Sequence, residues 1–152
     1  MPRISVFIQV WCLVLLILFT SCEKIEPGNA LDAETTNLIT SLGLLDKDEQ
    51  IVYFYSNYKK SRAGSFFTDK RIARYWLEDQ PAKTEIKFSF YKDIVSIDTV
   101  YKVPYFDCPY MIITSKNGTK FRAYVDGDTQ EKRAFFEKVI SLWRKSHSLN
   151  LR

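Results

Sequence analysis

Basic side chains are concentrated in one short stretch of this chain. Between residues 59 and 74, six of them accompany a single acid, Asp69, which gives the stretch a local net charge of +5. The six are Lys59, Lys60, Arg62, Lys70, Arg71 and Arg74. Ammonium and guanidinium groups that converge on one rim bind phosphate by charge-assisted hydrogen bonds. The stretch therefore predicts either an anion-binding surface or an ordinary solvated basic loop.

Residues suited to enzymatic chemistry are scarce. His147 is the single histidine, so histidine-paired nucleophiles and multi-histidine zinc sites are not expected. Cys108 is either a reactive thiol or a small buried apolar side chain, and its aromatic neighbours favour the second. Asp126-Gly127-Asp128 resembles part of a calcium loop but lacks the other ligands, so a turn and helix cap are favoured. We expect no enzymatic activity, no metal and no cofactor.

The overall composition is that of one folded domain. Of 152 residues, 46% are hydrophobic and 15% aromatic, with only 5 Gly and 5 Pro, which excludes collagen-like and disordered chains. The formal net charge of +4 is too small to indicate nucleic-acid binding. We expect no nucleic-acid partner.

Residues 1–21 are predicted to be an export signal. Arg3 is their only charge, and the continuous apolar stretch from Val10 to Phe19 is half the length of roughly 20 residues that a membrane-spanning helix needs. The junction Leu18-Phe19-Thr20-Ser21-Cys22 resembles the lipobox of bacterial lipoproteins, although Phe19 stands where an aliphatic residue is usual. The resemblance implies that Cys22 becomes the first mature residue and carries diacylglycerol and a further acyl chain such as palmitate. The alternative is simple cleavage nearby, with Cys22 unmodified.

The cysteines and the composition divide the rest of the chain. Cys12 leaves with the signal and Cys22 carries lipid, so Cys108 has no partner for an intrachain disulfide. Pro27, Gly28 and few large apolar residues predict a flexible tether over 22–33. The folded domain is predicted over 34–147, with a short tail over 148–152.

Two helices flank a region rich in strands. Asp32 and Gly43 bound a short predicted helix from about Ala33 to Leu42. Aromatic and β-branched residues alternating with period two then predict seven strands. These run approximately over Gln50–Tyr58, Gly64–Thr68, Arg71–Leu77, Glu85–Tyr91, Ile94–Lys102, Tyr110–Lys116 and Thr119–Val125. Asn117-Gly118 predicts a two-residue hairpin turn.

A second helix closes the chain. Asp128 and Glu131 have the spacing of a capping box. The apolar residues that follow recur every three or four positions, which gives a stripe expected to pack on the sheet rather than on a partner. They are Phe135, Phe136, Val139, Ile140 and Trp143.

The order of these elements over residues 38–146 resembles the pleckstrin-homology (PH)-like superfold, in particular the bacterial PH-like domains related to the GRAM group. The resemblance is carried by the segment 44–55, by the hairpin Gly64–Ile72, by Ile86–Ile97, and by the last hairpin with its helix. It implies a mainly β (α+β) fold: a seven-stranded antiparallel sandwich or partly open barrel, capped by the C-terminal helix. The short N-terminal helix is an addition to the minimal fold.

The resemblance also implies where a ligand would bind. In PH domains that bind phosphoinositides, basic residues in the first loop hold the phosphates together with the third and sixth loops. Carried over to this chain, the candidate ligand-binding residues are Lys59, Lys60, Arg62, Lys83, Lys116 and Lys120.

These features together predict a lipid-anchored protein of the bacterial cell envelope, in the outer membrane, held to the membrane by its N-terminal acyl chains. Its PH-like domain is expected to be a binding or scaffold module for a protein or an anionic lipid headgroup. The alternative is a small inhibitor or immunity lipoprotein that blocks a toxin or hydrolase through an aromatic patch of Tyr105, Phe106 and Tyr110. The sequence leaves the oligomeric state and the side of the membrane open.

Overall fold

The computed structural model describes residues 25–104 and 107–149. In chain order the elements are β1 (Ile25–Pro27), α1 (Ala33–Ser41), β2 (Ile51–Tyr55), β3 (Ala63–Thr68), β4 (Arg71–Trp76), β5 (Glu85–Phe90), β6 (Ile94–Val100), β7 (Tyr110–Ser115), β8 (Lys120–Tyr124) and α2 (Thr129–Leu149). The predicted signal over 1–21 and Cys22 lie outside the described residues. The predicted tail from residue 148 overlaps the end of α2.

The strands form two antiparallel sheets. Sheet A has the order β1-β2-β3-β4-β5 and sheet B the order β6-β7-β8. All seven predicted strands are present, and each begins and ends within a few residues of its prediction. The predicted mainly β sandwich with a C-terminal helix is confirmed, and the two sheets do not close into a barrel.

The start of the described chain differs from the predicted tether. Residues 25–27 pair antiparallel with 53–55, and Ile25 is buried in the core. A short 3₁₀ turn, Gly28–Ala30, follows and packs so closely on β2 that a Cβ on Gly28 would overlap the carbonyl oxygen of Ile51. Three residues that include a proline have little intrinsic preference for a strand. They are extended here because they pair with the aromatic strand β2. The tether prediction is therefore wrong for residues 25–33.

Two apolar cores lie on the two faces of sheet A. The inner core packs sheet A against sheet B and the stripe of α2, with Phe135, Phe136 and Val139 fully buried, so the predicted intramolecular packing of this helix is confirmed. The outer core packs Ile39 of α1 and Leu44 against the opposite face. Because both faces are covered, the middle strands are buried on both sides. The N-terminal helix thus belongs to the domain.

Side chains and a glycine define the helix ends as the sequence indicated. The backbone N–H of Thr35 donates to Asp32 Oδ1 at 2.7 Å, and Gly43 has φ +71° beyond the end of α1. Asp128 and Glu131 each accept from the other's backbone N–H, at 2.8 and 3.0 Å, which is the predicted capping box. Neither described helix combines the length and the apolarity needed to cross a bilayer.

The hairpin between β7 and β8 has a longer turn than predicted. The Gly118 N–H donates to the Ser115 carbonyl at 2.9 Å, and the Ser115 N–H donates to the Thr119 carbonyl at 3.0 Å, so three residues form the loop. Gly118 has φ +80°, whereas Asn117 keeps a negative φ. A two-residue turn of the predicted type needs positive φ at both positions. A turn of three residues with glycine last needs it only once, and that turn is the one adopted.

Candidate functional site

Most of the predicted ligand-binding residues lie at one end of sheet A. At this end, β1 begins at Ile25 beside Tyr55 of β2, and β4 finishes at Trp76 beside Glu85 of β5. The loops 56–62 and 77–84 project from it. We call this region the loop end, and the opposite end, which carries the tight turn between β3 and β4, the turn end.

Lys60 is held inside the domain. Its Nζ donates to the Glu26 carboxylate at 2.7 Å and to Asp32 Oδ2 at 3.3 Å, and its carbonyl oxygen accepts from the Tyr75 hydroxyl. These bonds connect the 56–62 loop to β1, to the cap of α1 and to β4. Lys60 is thus a structural residue whose charge is already neutralised.

The pKa values at this cluster show how tightly it is coupled. Burial alone would lower the pKa of Lys60, but its hydrogen bonds to Glu26 and Asp32 outweigh burial and raise it. The backbone and hydroxyl hydrogen bonds from Thr35, aided by Lys60, lower the pKa of Asp32 to about 2. Both groups therefore keep their charges, and the pair persists, over the physiological pH range.

The other basic residues of the loop end differ in how far they are engaged. Arg62 Nη1 lies 2.7 Å from Asp79 Oδ1, which connects the two loops. Lys59 and Lys83 are exposed and form no ion pair with any residue in the described ranges. Lys59 and Lys83 are therefore the cations of this end that remain available to a ligand.

Lys116 and Lys120 lie elsewhere. The Lys116 N–H donates to the carbonyl oxygen of Asp93 at 2.8 Å, next to the point where β5 ends and β6 begins. That point is at the turn end, and the five steps along β4 between the two ends span about 17 Å. Lys120 starts β8 directly after the same hairpin turn. The structure brings Lys59, Lys60, Arg62 and Lys83 together at the loop end, but not Lys116 or Lys120.

The charges at the loop end balance one another. The basic side chains Lys59, Lys60, Arg62 and Lys83 stand among the acids Glu26, Asp32, Glu78 and Asp79. A phosphate group would therefore meet carboxylates as well as cations. This arrangement is less suited to a highly charged headgroup than the basic sequence stretch indicated.

An exposed aromatic pair occupies the same end. The rings of Tyr58 and Trp76 stack with centroids 6.0 Å apart and planes inclined by 25°, yet 56% of Tyr58 and 39% of Trp76 is exposed. The indole Nε1 donates to Glu78 Oε1 at 2.7 Å, which fixes the ring. An aromatic pair with a polar handle and an uncovered face is suited to contact with a protein or a membrane interface. Sequence reasoning missed this pair because Tyr58, in the loop after β2, and Trp76, at the end of β4, meet only in the folded chain.

A small cavity of about 240 Å³ opens beside this pair. Its lining includes Ser65, Arg74, Trp76, Cys108 and Tyr124. Arg74 is already engaged, because Nη2 lies 3.0 Å from Glu85 and the guanidinium lies over the Tyr124 ring. The volume is below the roughly 300–1,000 Å³ of pockets that hold drug-sized ligands.

Cys108 is less buried than predicted and has polar neighbours. Its Sγ lies 3.5 Å from Asn57 Nδ2 and 3.9 Å from the Tyr55 hydroxyl, at intermediate exposure. Burial, with Cys108 nearby, raises the pKa of Tyr55 well above its usual range, so this phenol stays protonated and can donate to the sulfur. Within 25–104 and 107–149, no three His, Cys, Asp or Glu side chains are grouped as metal ligands.

Comparison with solved structures identifies the architecture. A crystal structure of a DUF1696 family protein with a pleckstrin-homology domain, from Shewanella loihica PV-4, superposes with a TM-score of 0.50. The match covers 80% of this chain and 97% of that chain at 15% sequence identity. The fold is therefore PH-like. No family model matches the sequence, and no curated protein does.

The PH-like domain also contains a buried charge network that the sequence presented as part of a basic patch. Arg71 is 2% exposed; its Nη2 donates to Glu49 Oε2 at 2.6 Å and its Nε to Glu49 Oε1 at 2.8 Å. The guanidinium also reaches Asp46 and lies 4.3 Å from the Phe90 ring centroid. Arg71 therefore joins the segment after α1 to the turn end of the PH-like domain and is not available to a ligand.

The predicted aromatic contact patch is only partly described. Tyr105 and Phe106 lie outside the described residues. Tyr110 is half-buried in β7, where its ring packs on the ring of Tyr124. The Arg122 guanidinium carbon lies 4.6 Å from the centroid of the Tyr110 ring. Exposed aromatic side chains of the described chain lie instead at the loop end, along β5, where 42% of Phe88 is exposed, and after β6, where 43% of Tyr101 is exposed.

Proposed function

We propose that this chain is a lipid-anchored protein of the bacterial cell envelope, attached through acyl chains on Cys22, whose PH-like domain is a non-enzymatic binding module for a protein partner at the membrane surface. The observation that carries the proposal is that sheet A begins at Ile25, only three residues after Cys22. A domain attached so closely would meet only partners that reach the membrane.

The charge pairing at the loop end supports a protein partner over an anionic headgroup. Two of the four candidate cations there, Lys60 and Arg62, are bound by carboxylates of the domain itself. The uncovered apolar side chains, in contrast, include Ile86 and Phe88 on β5, a strand at the free edge of sheet A. Large exposed apolar groups and an unpaired strand edge favour contact with another polypeptide.

Binding of an anionic headgroup is the second candidate, because Lys59 and Lys83 are exposed and without ion pairs in the described ranges. The two candidates are separated by vesicle sedimentation with the Cys22→Ser protein, which keeps β1 and lacks the anchor. Binding to vesicles containing an anionic lipid that is lost in Lys59→Ala/Lys83→Ala would favour the headgroup. Equal binding to anionic and zwitterionic vesicles would reject it.

Anchoring and partner binding are tested together in the native envelope. Labelled palmitate should enter the wild-type protein and not Cys22→Ser, and only the wild type should fractionate with membranes. Native mass spectrometry of the labelled protein, extracted in mild detergent, should then show a retained protein whose occupancy falls in Phe88→Ser. Absence of label from the wild type would reject the lipid anchor; unchanged occupancy in Phe88→Ser would reject β5 as the contact surface.

A further inference from the structure

We infer that the loop end of the domain lies against the lipid bilayer, with Tyr58 and Trp76 seated in the headgroup layer; this inference rests on the proposed lipid attachment at Cys22. It assigns an orientation to the domain and a lipid-contacting role to an aromatic pair. The occupant of this surface is the phospholipid interface itself.

The length of chain between the anchor and the sheet limits where the domain can be. Ile25 stands three positions after Cys22, and three steps of 3.3–3.6 Å span at most about 11 Å. The headgroup layer on each side of the hydrocarbon is about 5–7 Å thick. With the anchor in the bilayer, Ile25 therefore lies in the headgroup layer or only a few ångströms outside it.

The point at which the chain enters the sheet determines which end faces the lipid. The sheet A strand β1 begins at the loop end, where Ile25 pairs with Tyr55, so the proposed anchor joins the domain at that end. The ion pair between Lys60 and Glu26 and the burial of Ile25 hold β1 in place. Little free chain is left with which the domain could turn its other end to the membrane.

The exposed aromatic side chains at this end have interfacial chemistry. Tyr58 follows β2 and Trp76 ends β4, and each exposes a large aromatic surface while the indole N–H is satisfied by Glu78. Tyrosine and tryptophan are the residues enriched where a membrane surface meets water. Lys59, next to Tyr58, can extend its ammonium towards lipid phosphates.

The balance of charge makes this an aromatic contact rather than an electrostatic one. Arg62 is paired with Asp79, and Asp126 and Asp128 precede the start of α2, near Ile25. Acids and bases of the rim thus offset each other. The contact should therefore form on zwitterionic lipid. It should also persist at high salt, because salt weakens interactions between exposed charges and leaves an aromatic contact intact.

The two tryptophans of the chain after Cys22 provide a built-in test. Trp76 is at the loop end, whereas Trp143 donates its indole N–H to the Ile94 carbonyl at 3.1 Å, at the turn end. From Thr129 to Trp143 α2 runs about 21 Å away from the loop end. Lipid-borne quenchers should therefore reach one tryptophan and not the other.

The experiment uses the acylated wild-type protein, W143Y and W76F, each reconstituted in phosphatidylcholine vesicles whose acyl chains are brominated near the headgroup. Trp76 emission in W143Y should fall, and Trp143 emission in W76F should hardly change, because only Trp76 lies at the proposed lipid contact. Sodium chloride at high concentration should leave both results unaltered. If W143Y fails to fold, the difference between wild type and W76F gives the quenching of Trp76 without altering Trp143.

The outcomes separate the inference from the proposed function. Lipid label on Cys22, co-flotation with vesicles and selective quenching of Trp76 would support both. Label and co-flotation with Trp76 unquenched, or with both tryptophans quenched equally, would overturn the orientation and leave the anchor intact. Absence of lipid on Cys22 would overturn the anchor and the orientation with it.

Discussion

Lys60 Nζ lies 2.7 Å from the carboxylate of Glu26, a residue 34 positions earlier in the chain. The pair fastens the first strand of sheet A to the loop that the sequence presented as a basic ligand site. Lys60, which the sequence presented as a candidate ligand-binding residue, thus helps to hold the domain together. It does so close to the start of β1, three positions after the proposed lipid anchor.

Removing this contact should affect stability. Lys60→Ala leaves the half-buried Glu26 without its partner and should lower the free energy of unfolding by about 1 kcal/mol, in the range of partly exposed ion pairs. Lys59→Ala is the matched control and should change it by less than about 0.5 kcal/mol, because Lys59 is exposed. Urea unfolding measures both. Equal effects of the two substitutions would contradict a structural role for Lys60.

The cap of α1 predicts a pH dependence. The pKa of Asp32 is about 2 in the folded chain against an ordinary value of 3.8. A lowered carboxyl pKa contributes stability that is complete above about pH 4 and is lost as the pH falls towards 2. The wild type should therefore exceed Asp32→Asn in urea stability at pH 7, and the difference should shrink towards pH 2 and vanish below it because asparagine caps without a charge. A difference that stays constant with pH would contradict the ionised cap.

The sequence predicted most of the fold because the signals for it are local. Apolar residues that alternate with period two predicted the seven strands. Capping residues at the expected spacing predicted both helices. β1 was missed because Ile25, Glu26 and Pro27 have no strand pattern of their own and are ordered by pairing with β2. A neighbour far along the chain decides their conformation, which no short window of sequence contains.

The candidate site was harder to predict for the same reason. The cluster of Lys59, Lys60 and Arg62 is visible in sequence, but the acidic partners of Lys60 and Arg62 come from three other segments. Tyr58 and Trp76 are 18 residues apart, one in a loop and one at the end of a strand, and meet only in the folded chain. Lys116 was grouped with the loop end by resemblance, whereas its hydrogen bond to Asp93 places it at the turn end.

The buried network around Arg71 predicts a large and asymmetric mutational effect. Arg71→Met leaves Glu49 buried without its cation and should cost about 3–5 kcal/mol. Arg71→Met combined with Glu49→Leu removes both charges and should recover much of that loss. Urea unfolding of the single and double variants checks this. A double variant no more stable than the single one would contradict a charge-pair origin.

The close packing of Gly28 offers a test of the ordered linker. Gly28→Ala places a methyl group against the Ile51 carbonyl, a backbone atom that cannot turn aside, so β1 should detach from β2. Hydrogen exchange in the peptide covering residues 25–30 should quicken at least about tenfold, while peptides in sheet B keep their protection. Asn29→Ala, at an exposed position, is the control. Unaltered exchange in Gly28→Ala would mean that residues 25–30 are not fixed to the sheet.

The most direct measurement is the intact mass of the N-terminal peptide from protein purified out of its own envelope. The proposed anchor predicts a peptide that begins at Cys22 and carries a diacylglyceryl group on sulfur with a further acyl chain on nitrogen. A peptide that begins elsewhere, or one that begins at Cys22 with a bare thiol and a free amine, would contradict it.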